Sequence, residues 1–347
     1  MIGCGAIVEL SHGPALTKLA ADLNFTVDQL VDPQSSRTQK LGQRFPHANR
    51  LVSSEPIDEL NTDLAIVASP PKFHLSQVRG LLNRGVNVFC EKPLAPRLAD
   101  AETMVRESES KGKLLAAGQI RRFFPALIEI KSVIENQPYG MLRRFEIHEG
   151  GEFNWPAATP SFFNPAQAGG GVLLDLGVHI LDTLQWWLGY PEGFDYADDA
   201  AGGLEANCQL RLNYMGGISG SVQLSRDSAS RNQWVFDFEH ASIRWSAGET
   251  NRLATRLHGS DYWQYAQLEN DRDEAAETYN EVFLTQLRDV ITATQNGAPP
   301  RVAGSAALPA LRLIQDCYAN REPLALPWLT PKEKNSLRRL NALQRHD

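Results

Sequence analysis

Three pieces of this sequence carry side chains that could do chemistry together. Asp175, His179 and Asp182 stand four and three residues apart in the stretch GGGVLLDLGVHILD, 169–182. On a straight α-helix they fall at about 0°, 40° and −20°, inside one arc of about 60°. Leu173, Leu176, Ile180, Leu184, Trp187 and Leu188 lie mostly elsewhere on such a helix. Mostly buried helices do not carry two carboxylates and an imidazole in one line without a partner or a purpose. An imidazole titrates near neutral pH and passes protons in both directions. The competing uses are a solvated polar stripe, which the dense apolar neighbours oppose, and zinc ligation, for which no third ligand is evident. Gly169, Gly170 and Gly171 suit close approach by a ligand or another backbone.

The second piece is Lys92, in Glu91-Lys92-Pro93 directly after the apolar run 86–90, VNVFC. Open α/β sheets bind ligands beyond the carboxyl ends of their strands, so Lys92 is expected at the cleft. An ammonium there stabilises alkoxide-like charge and can relay a proton. By itself, a strand-end surface lysine is the plainer reading.

The third piece is Gly3-Cys4-Gly5-Ala6-Ile7-Val8, which begins like a dinucleotide fingerprint. Gly3 permits the tight turn and Gly5 lets backbone approach a pyrophosphate. The helix N-terminus opening at Ala6 and Ile7 turns its amides to the phosphates. Val8 stands in the place of the third glycine, which predicts looser helix–strand packing. Asp32 ends the next strand, where a carboxylate accepts from ribose hydroxyls and repels a 2′-phosphate. NAD(H) is therefore favoured, with NADP(H) as the alternative. Arg37 is expected to stack on adenine, to pair with a phosphate, or to be a plain surface arginine. Only Met1 and Ile2 precede Gly3, whereas the motif should follow a strand of about five residues. The reading expects a functional chain beginning upstream of Met1, since an absent central strand would bare its neighbours' edges.

The elements that must position these residues follow from periodicity. Short apolar runs at 25–31, 64–68, 86–90 and 114–117 read as parallel strands covered on both faces. Between them Leu75, Val78, Leu81 and Leu82 before Gly85, and Leu98, Ala101, Met104 and Val105 before Gly112, have helical spacing. That alternation predicts a doubly wound α/β domain over 1–120. A helix at 126–136 and a turn at Pro138-Tyr139-Gly140 lead into period-two segments from Leu142 and at 205–213, 218–225, 234–239 and 241–245. Tyr214-Met215-Gly216-Gly217 reads as a hairpin turn, implying an antiparallel sheet. Helical patterns return at 279–295 and 306–320, and the charged tail from Pro331 is a solvated helix or a frayed end. The second domain, 121–347, is thus α+β.

The chain has 347 residues, 42% of them hydrophobic, with 41 acidic against 34 basic side chains and net charge −7. It is long enough for two cores and too apolar to be disordered. The charge opposes a nucleic-acid binder that works through phosphate contacts. No apolar run nears the roughly 20 residues of a membrane helix. Cys4, Cys90, Cys208 and Cys317 are scattered, without metal spacing, and read as reduced thiols of a cytoplasmic protein.

Together these pieces resemble the Gfo/Idh/MocA family, named for glucose-fructose oxidoreductase, inositol dehydrogenase and rhizopine catabolism proteins. The matching segments are GCGAIV at 3–8 with His12 and Pro14-Ala15-Leu16, SPPKFH at 69–74, EKPLA at 91–95, QIRRFFP at 119–125 and the stretch 169–182. The resemblance implies a Rossmann domain plus a domain with a large, mostly antiparallel open sheet used for homodimer or homotetramer contacts. It implies hydride transfer between NAD(H) or NADP(H) and a hydroxyl or keto carbon of a sugar, cyclitol or nucleotide-activated sugar. By that pattern Lys92 binds the reacting oxygen and shares proton transfer with His179, while Asp175 orients the substrate. Gly3, Gly5, Ala6, Ile7, Asp32, Arg37, Ser69, Pro70, His74, Glu91 and Lys92 are the expected cofactor contacts. Arg122, Asn154 and Trp155 are further candidate substrate lining, with Arg122 as an ion-pair residue and Trp155 as core the alternatives. Rival functions are an NAD-dependent lyase or glycosidase on the same fold, and a non-catalytic cofactor-binding regulator.

Overall fold

The computed structural model describes residues 1–53, 62–156, 163–268, 278–325 and 330–343. The chain divides into two compact units. The first comprises Met1–Phe123, Pro156–Gly169 and Thr278–Leu308, and the second Phe124–Trp155, Gly170–Glu277 and Pro309–Asp347. Thr278–Leu308 thus returns to the first unit, which a linear split after residue 120 does not foresee.

In the first unit β1 (Gln29–Val31) pairs in parallel with β2 (Asn49–Leu51). β3 (Leu64–Val67), β4 (Asn87–Cys90) and β5 (Leu115–Ala117) form a parallel three-stranded sheet. Ile2 bridges the two sheets, pairing with Val31 on one side and Val67 on the other. Its amide donates to Ile66 O and its carbonyl accepts from Ala68, both at 2.8 Å. Met1 and Ile2 therefore occupy the upper part of the central lane. The Met1 ammonium is buried, which lowers its pKa, and it donates to Gln29 O at 2.7 Å. At the N-terminal ends of β1 and β3 lies a cavity of about 390 Å3, lined by Met1, Phe25, Val27, Gln29, Leu64 and Ile66 among others.

Helices Gly13–Asp22, Ser35–Gly42, His74–Asn83 and Leu98–Ser110 cover these strands. Val78, Leu81 and Leu82 are buried as their spacing predicts. The helix Tyr279–Asn296 starts at a capping box, Thr278 with Glu281, and stops at Gly297 in the left-handed region.

The second unit is built on a nine-stranded sheet. Its strands are β6 (Leu142–Gly150), β7 (Gly193–Asp198), β8 (Asn207–Tyr214), β9 (Ile218–Ser225), β10 (Gln233–Phe238), β11 (Ala241–Ser246), β12 (Arg252–Leu257), β13 (Gln264–Gln267) and β14 (Glu322–Pro323). The order is β13-β12-β11-β10-β6-β9-β8-β7-β14. Every neighbouring pair is antiparallel except β6 with β9 and β7 with β14. Along β8 Cys208, Leu210, Leu212 and Tyr214 point inward while Gln209, Arg211 and Asn213 face out, the period of two that fixes register. Met215, Gly216 and Gly217 connect β8 to β9, with both glycines near φ +76°. The buried face carries Phe145, Trp234, Phe236 and Trp245, the two tryptophans meeting edge to face at 5.0 Å. Trp187, from the helix Val178–Leu188, packs edge-on against Trp234 at 6.1 Å, which seats that helix on the sheet. The charged tail forms the helix Pro331–Leu343. Among the described residues no helix is long and apolar enough to cross a membrane.

Candidate active site

In the first unit the expected cofactor residues gather at the carboxyl ends of the parallel strands. Gly3 has φ +84°, and a Cβ there would meet Ala68 C and Ser69 N at 2.6 Å, so the loop leaving β3 demands glycine. Gly5 is the converse: a Cβ there would meet nothing within 4 Å. It opens a cradle at the start of the helix that runs on from Ala6 through Ile7, the arrangement a pyrophosphate requires. The residues present therefore fit a dinucleotide. Val8 does not loosen the packing as the sequence suggested. It is wholly buried among Cys4, Leu30, Leu41 and Ala48, in a π turn, Val8–His12, whose wider radius seats the larger side chain.

Asp32 follows β1. Its Oδ2 accepts the Cys4 amide at 2.9 Å and its Oδ1 the Gln34 amide at 2.8 Å, which ties the carboxylate to the glycine turn. The Arg37 guanidinium lies 3.6 Å from Oδ2, so Arg37 is an ion partner of Asp32 and not a plain surface arginine. Each carboxylate oxygen keeps acceptor capacity.

Ser69 and Pro70 follow β3, and the Ser69 hydroxyl donates to Gln77 Oε1 at 2.6 Å. The sequence reading gave His74 a cofactor contact. The structure buries it completely: Nε2 lies 2.8 Å from Ser69 O, and Nδ1 lies 3.1 Å from Pro93 O and 3.3 Å from Leu94 O. Burial pushes its pKa down, so the neutral ring donates to one side only. His74 joins the loops after β3 and β4 instead of lining open space. Glu91 and Lys92 follow β4, Glu91 buried and Lys92 half-buried. The Glu91 carboxylate meets His12 Nε2 at 2.7 Å and the Lys92 amide at 3.1 Å. Arg122 donates from Nη2 to Ala306 O at 3.1 Å, fastening the turn Ile120–Phe123 within this unit.

In the second unit the polar helix differs from its straight-helix reading. Leu173–Gly177 is a π turn, and only Val178–Leu188 is α-helical. The straight-helix step of about 100° therefore does not apply across the turn that holds Asp175. The three differ in burial: the Asp175 side chain is 27% exposed, His179 is 9% exposed and Asp182 1%. Arg226, just past β9, places Nη2 3.5 Å from Asp175 Oδ2 and lies over the Phe153 ring. Phe153 leads into Asn154 and Trp155, both exposed, so Trp155 is surface and not core.

The glycine run is approached by backbone. A Cβ on Gly171 would lie 2.1 Å from Glu205 O, and one on Gly170 would lie 2.5 Å from the Tyr318 hydroxyl. Glu205 is buried, and its Oε1 accepts the Gly171 and Leu173 amides at 3.0 Å and the Tyr318 hydroxyl at 2.7 Å. Arg321 sits 2.7 Å from Asp198 and 3.6 Å from Glu205. This cluster holds the start of the polar helix in place. Sequence reasoning missed Arg226, Glu205, Tyr318 and Arg321. The one available signal was charge at the end of an alternating segment, as at Ser225-Arg226-Asp227.

The description "Oxidoreductase family, NAD-binding Rossmann fold" matches residues 1–119, and "GFO/IDH/MocA C-terminal domain" matches 127–244. An uncharacterised oxidoreductase of Schizosaccharomyces pombe is 28% identical over 194 residues, 55% of this chain and 52% of that protein, so the matched stretch spans about half the relative's length. A myo-inositol 2-dehydrogenase of Thermotoga maritima is 26% identical over 270 residues, 75% of this chain and 77% of that protein. A solved levoglucosan dehydrogenase in complex with NADH and levoglucosan shares the fold, with TM-score 0.76, 17% identity and coverage of 91% and 94% of the two chains. The chain belongs to the GFO/IDH/MocA oxidoreductase family, with an NAD-binding Rossmann domain and the family's C-terminal domain.

Proposed function

We propose that this protein is a dehydrogenase or reductase that exchanges a hydride between a nicotinamide cofactor and a hydroxyl or keto carbon of a sugar, cyclitol or nucleotide-activated sugar. One observation carries the reading: Gly5, Asp32, Ser69 and Lys92 all stand at the carboxyl ends of adjoining parallel lanes of one unit, where such sheets take ligands. Gly3, Gly5, Ala6 and Ile7 cradle the pyrophosphate, Asp32 holds the ribose, and Arg37, Ser69, Pro70 and Glu91 complete the seat. Asp32 favours NAD(H) over NADP(H). The nicotinamide, when bound, supplies the hydride acceptor or donor.

The chain's own residues supply the proton chemistry. Lys92 donates a hydrogen bond to the reacting oxygen and stabilises its developing negative charge. His179 takes the hydroxyl proton in oxidation and returns it in reduction. Asp175, held by Arg226, accepts hydrogen bonds from neighbouring hydroxyls of the polyol. Asn154 and Trp155 offer it an amide and an apolar face, and Arg122 a further donor. Two of the proteins named above support the substrate class, one a myo-inositol 2-dehydrogenase and the other a levoglucosan dehydrogenase. Assembly through the open sheet as a homodimer or homotetramer, and a cytoplasmic setting in which the four buried cysteines stay reduced, belong to the same proposal.

The test is a screen of sugars, cyclitols and activated sugars with NAD(H) and NADP(H), followed at the nicotinamide absorbance band. A stoichiometric absorbance change is expected. Turnover without net change would move the reading to a lyase or glycosidase. On the identified substrate, Lys92→Met and His179→Ala should each lower kcat by at least about 10²-fold while leaving NADH binding intact. Normal turnover in both variants would overturn the site.

A further inference from the structure

We infer that His12 and Glu91 form a buried pair that positions Lys92, an inference resting on the role proposed for that lysine. His12 closes the π turn Val8–His12 and is wholly buried. Its ring meets the edges of Phe89 and Phe283 at 5.6 and 5.2 Å. In that apolar cage its polar contact among the described residues is Glu91: Nε2 lies 2.7 Å from Oε1, and Nδ1 meets no partner among those residues. A carboxylate only accepts, so Nε2 carries the proton that points at Glu91.

The other carboxylate oxygen faces forward. Glu91 Oε2 accepts the Lys92 amide at 3.1 Å, which bends the chain leaving β4 around a fixed anion. Gly118 makes room for it: a Cβ there would lie 2.8 Å from Glu91 Oε2 and 3.0 Å from Glu91 Cα. The backbone on either side is anchored separately, Glu91 N to Val67 O at 2.9 Å and Gly118 N to Cys90 O at 2.8 Å. His12 therefore adds little to the sheet itself. An imidazole with an orphaned ring nitrogen is a poor choice for filling an apolar cage, where leucine would suffice. What histidine adds is a donor that fixes the Glu91 rotamer, and through it the main chain of Lys92. His12 and Glu91 act through Lys92 and are positioning residues.

Amide hydrogen exchange at Lys92, read residue by residue in the full-length protein, tests this without any substrate. His12→Leu removes the donor and fills the cage. Exchange at Lys92 should quicken by about fivefold or more, the worth of one hydrogen bond, while the Glu91 and Gly118 amides keep their protection. His12→Gln, whose side-chain amide can donate to Glu91, should restore most of the protection. Gly118→Ala, which crowds the carboxylate, should lose it as His12→Leu does and stands in if that variant fails to fold. On the identified substrate, kcat of His12→Leu should fall by about tenfold to a hundredfold, and His12→Gln should recover most of it. Unchanged Lys92 exchange in both His12→Leu and Gly118→Ala, or equal loosening of all three amides, would overturn the inference. A wild-type chain inactive on every polyol would overturn the proposed reaction instead, and the exchange result would still decide the positioning role.

Discussion

At the scale of single residues, cofactor choice turns on Asp32. Two backbone amides hold its carboxylate in one orientation, and the Arg37 guanidinium stands 3.6 Å away. Asp32→Ala removes the acceptors for the ribose hydroxyls and releases Arg37 toward a 2′-phosphate. NADH affinity should fall by roughly tenfold to a hundredfold, the worth of hydrogen bonds to a charged group, and NADPH affinity should fall less or rise. Fluorescence titration with the two reduced cofactors measures both, and a larger loss for NADPH would reverse the preference. Asp32 was legible because its spacing after the glycine turn is local. Arg226 was not, because the partner it gives Asp175 comes from a strand end 51 residues away, and no sequence period links the two. His74 was legible as a motif residue but not as a buried one, since burial depends on the two loops it joins.

Helices and strands were legible in proportion to how fully a period was written into them. The four apolar parallel-strand signals, the alternation along β8 and the helical spacings at 75–82 and 279–295 all appear in the fold. β2, β13 and β14 were missed because short or edge strands carry little buried alternation, β13 being exposed throughout, and β7 and β12 because their burial does not alternate strictly. The two π turns could not be read either, for an extra residue in a turn leaves no mark in composition. Yet the first follows directly on the glycine turn, and the second holds Asp175 and leads into the helix that carries His179 and Asp182.

The element that steadies that second turn is the Glu205 cluster, and it carries a pH signature. Burial raises the Glu205 carboxyl above its ordinary value, against the opposing hydrogen bonds from Tyr318 and the Leu173 amide. Asp198 is raised by burial as well, with Arg321 opposing. Once pH passes the ordinary carboxylate range, the folded chain keeps protons that the unfolded chain has released, so these groups lower stability as pH rises. Glu205→Gln removes one of them. Its unfolding free energy, from denaturant titrations between about pH 4 and pH 7, should decline less steeply with pH than that of the wild type. An equal or steeper decline would contradict the assignment.

For the molecule as a whole, the fold class and the family were readable because the motifs recur in order along almost the entire chain. The return of Thr278–Leu308 to the first unit was not, since the helix there shows its period without showing its partner. Phe283 illustrates the consequence: it closes the cage around His12 from a position 271 residues along the chain. The central claim is that Lys92 and His179 serve one carbon beside the nicotinamide. A crystal structure of the ternary complex with oxidised cofactor and the identified polyol tests it most directly. Lys92 Nζ and a His179 ring nitrogen should both lie within about 3.2 Å of the same substrate oxygen, with its carbon facing the nicotinamide ring. Contacts to different oxygens, or either side chain turned away from the substrate, would contradict the account.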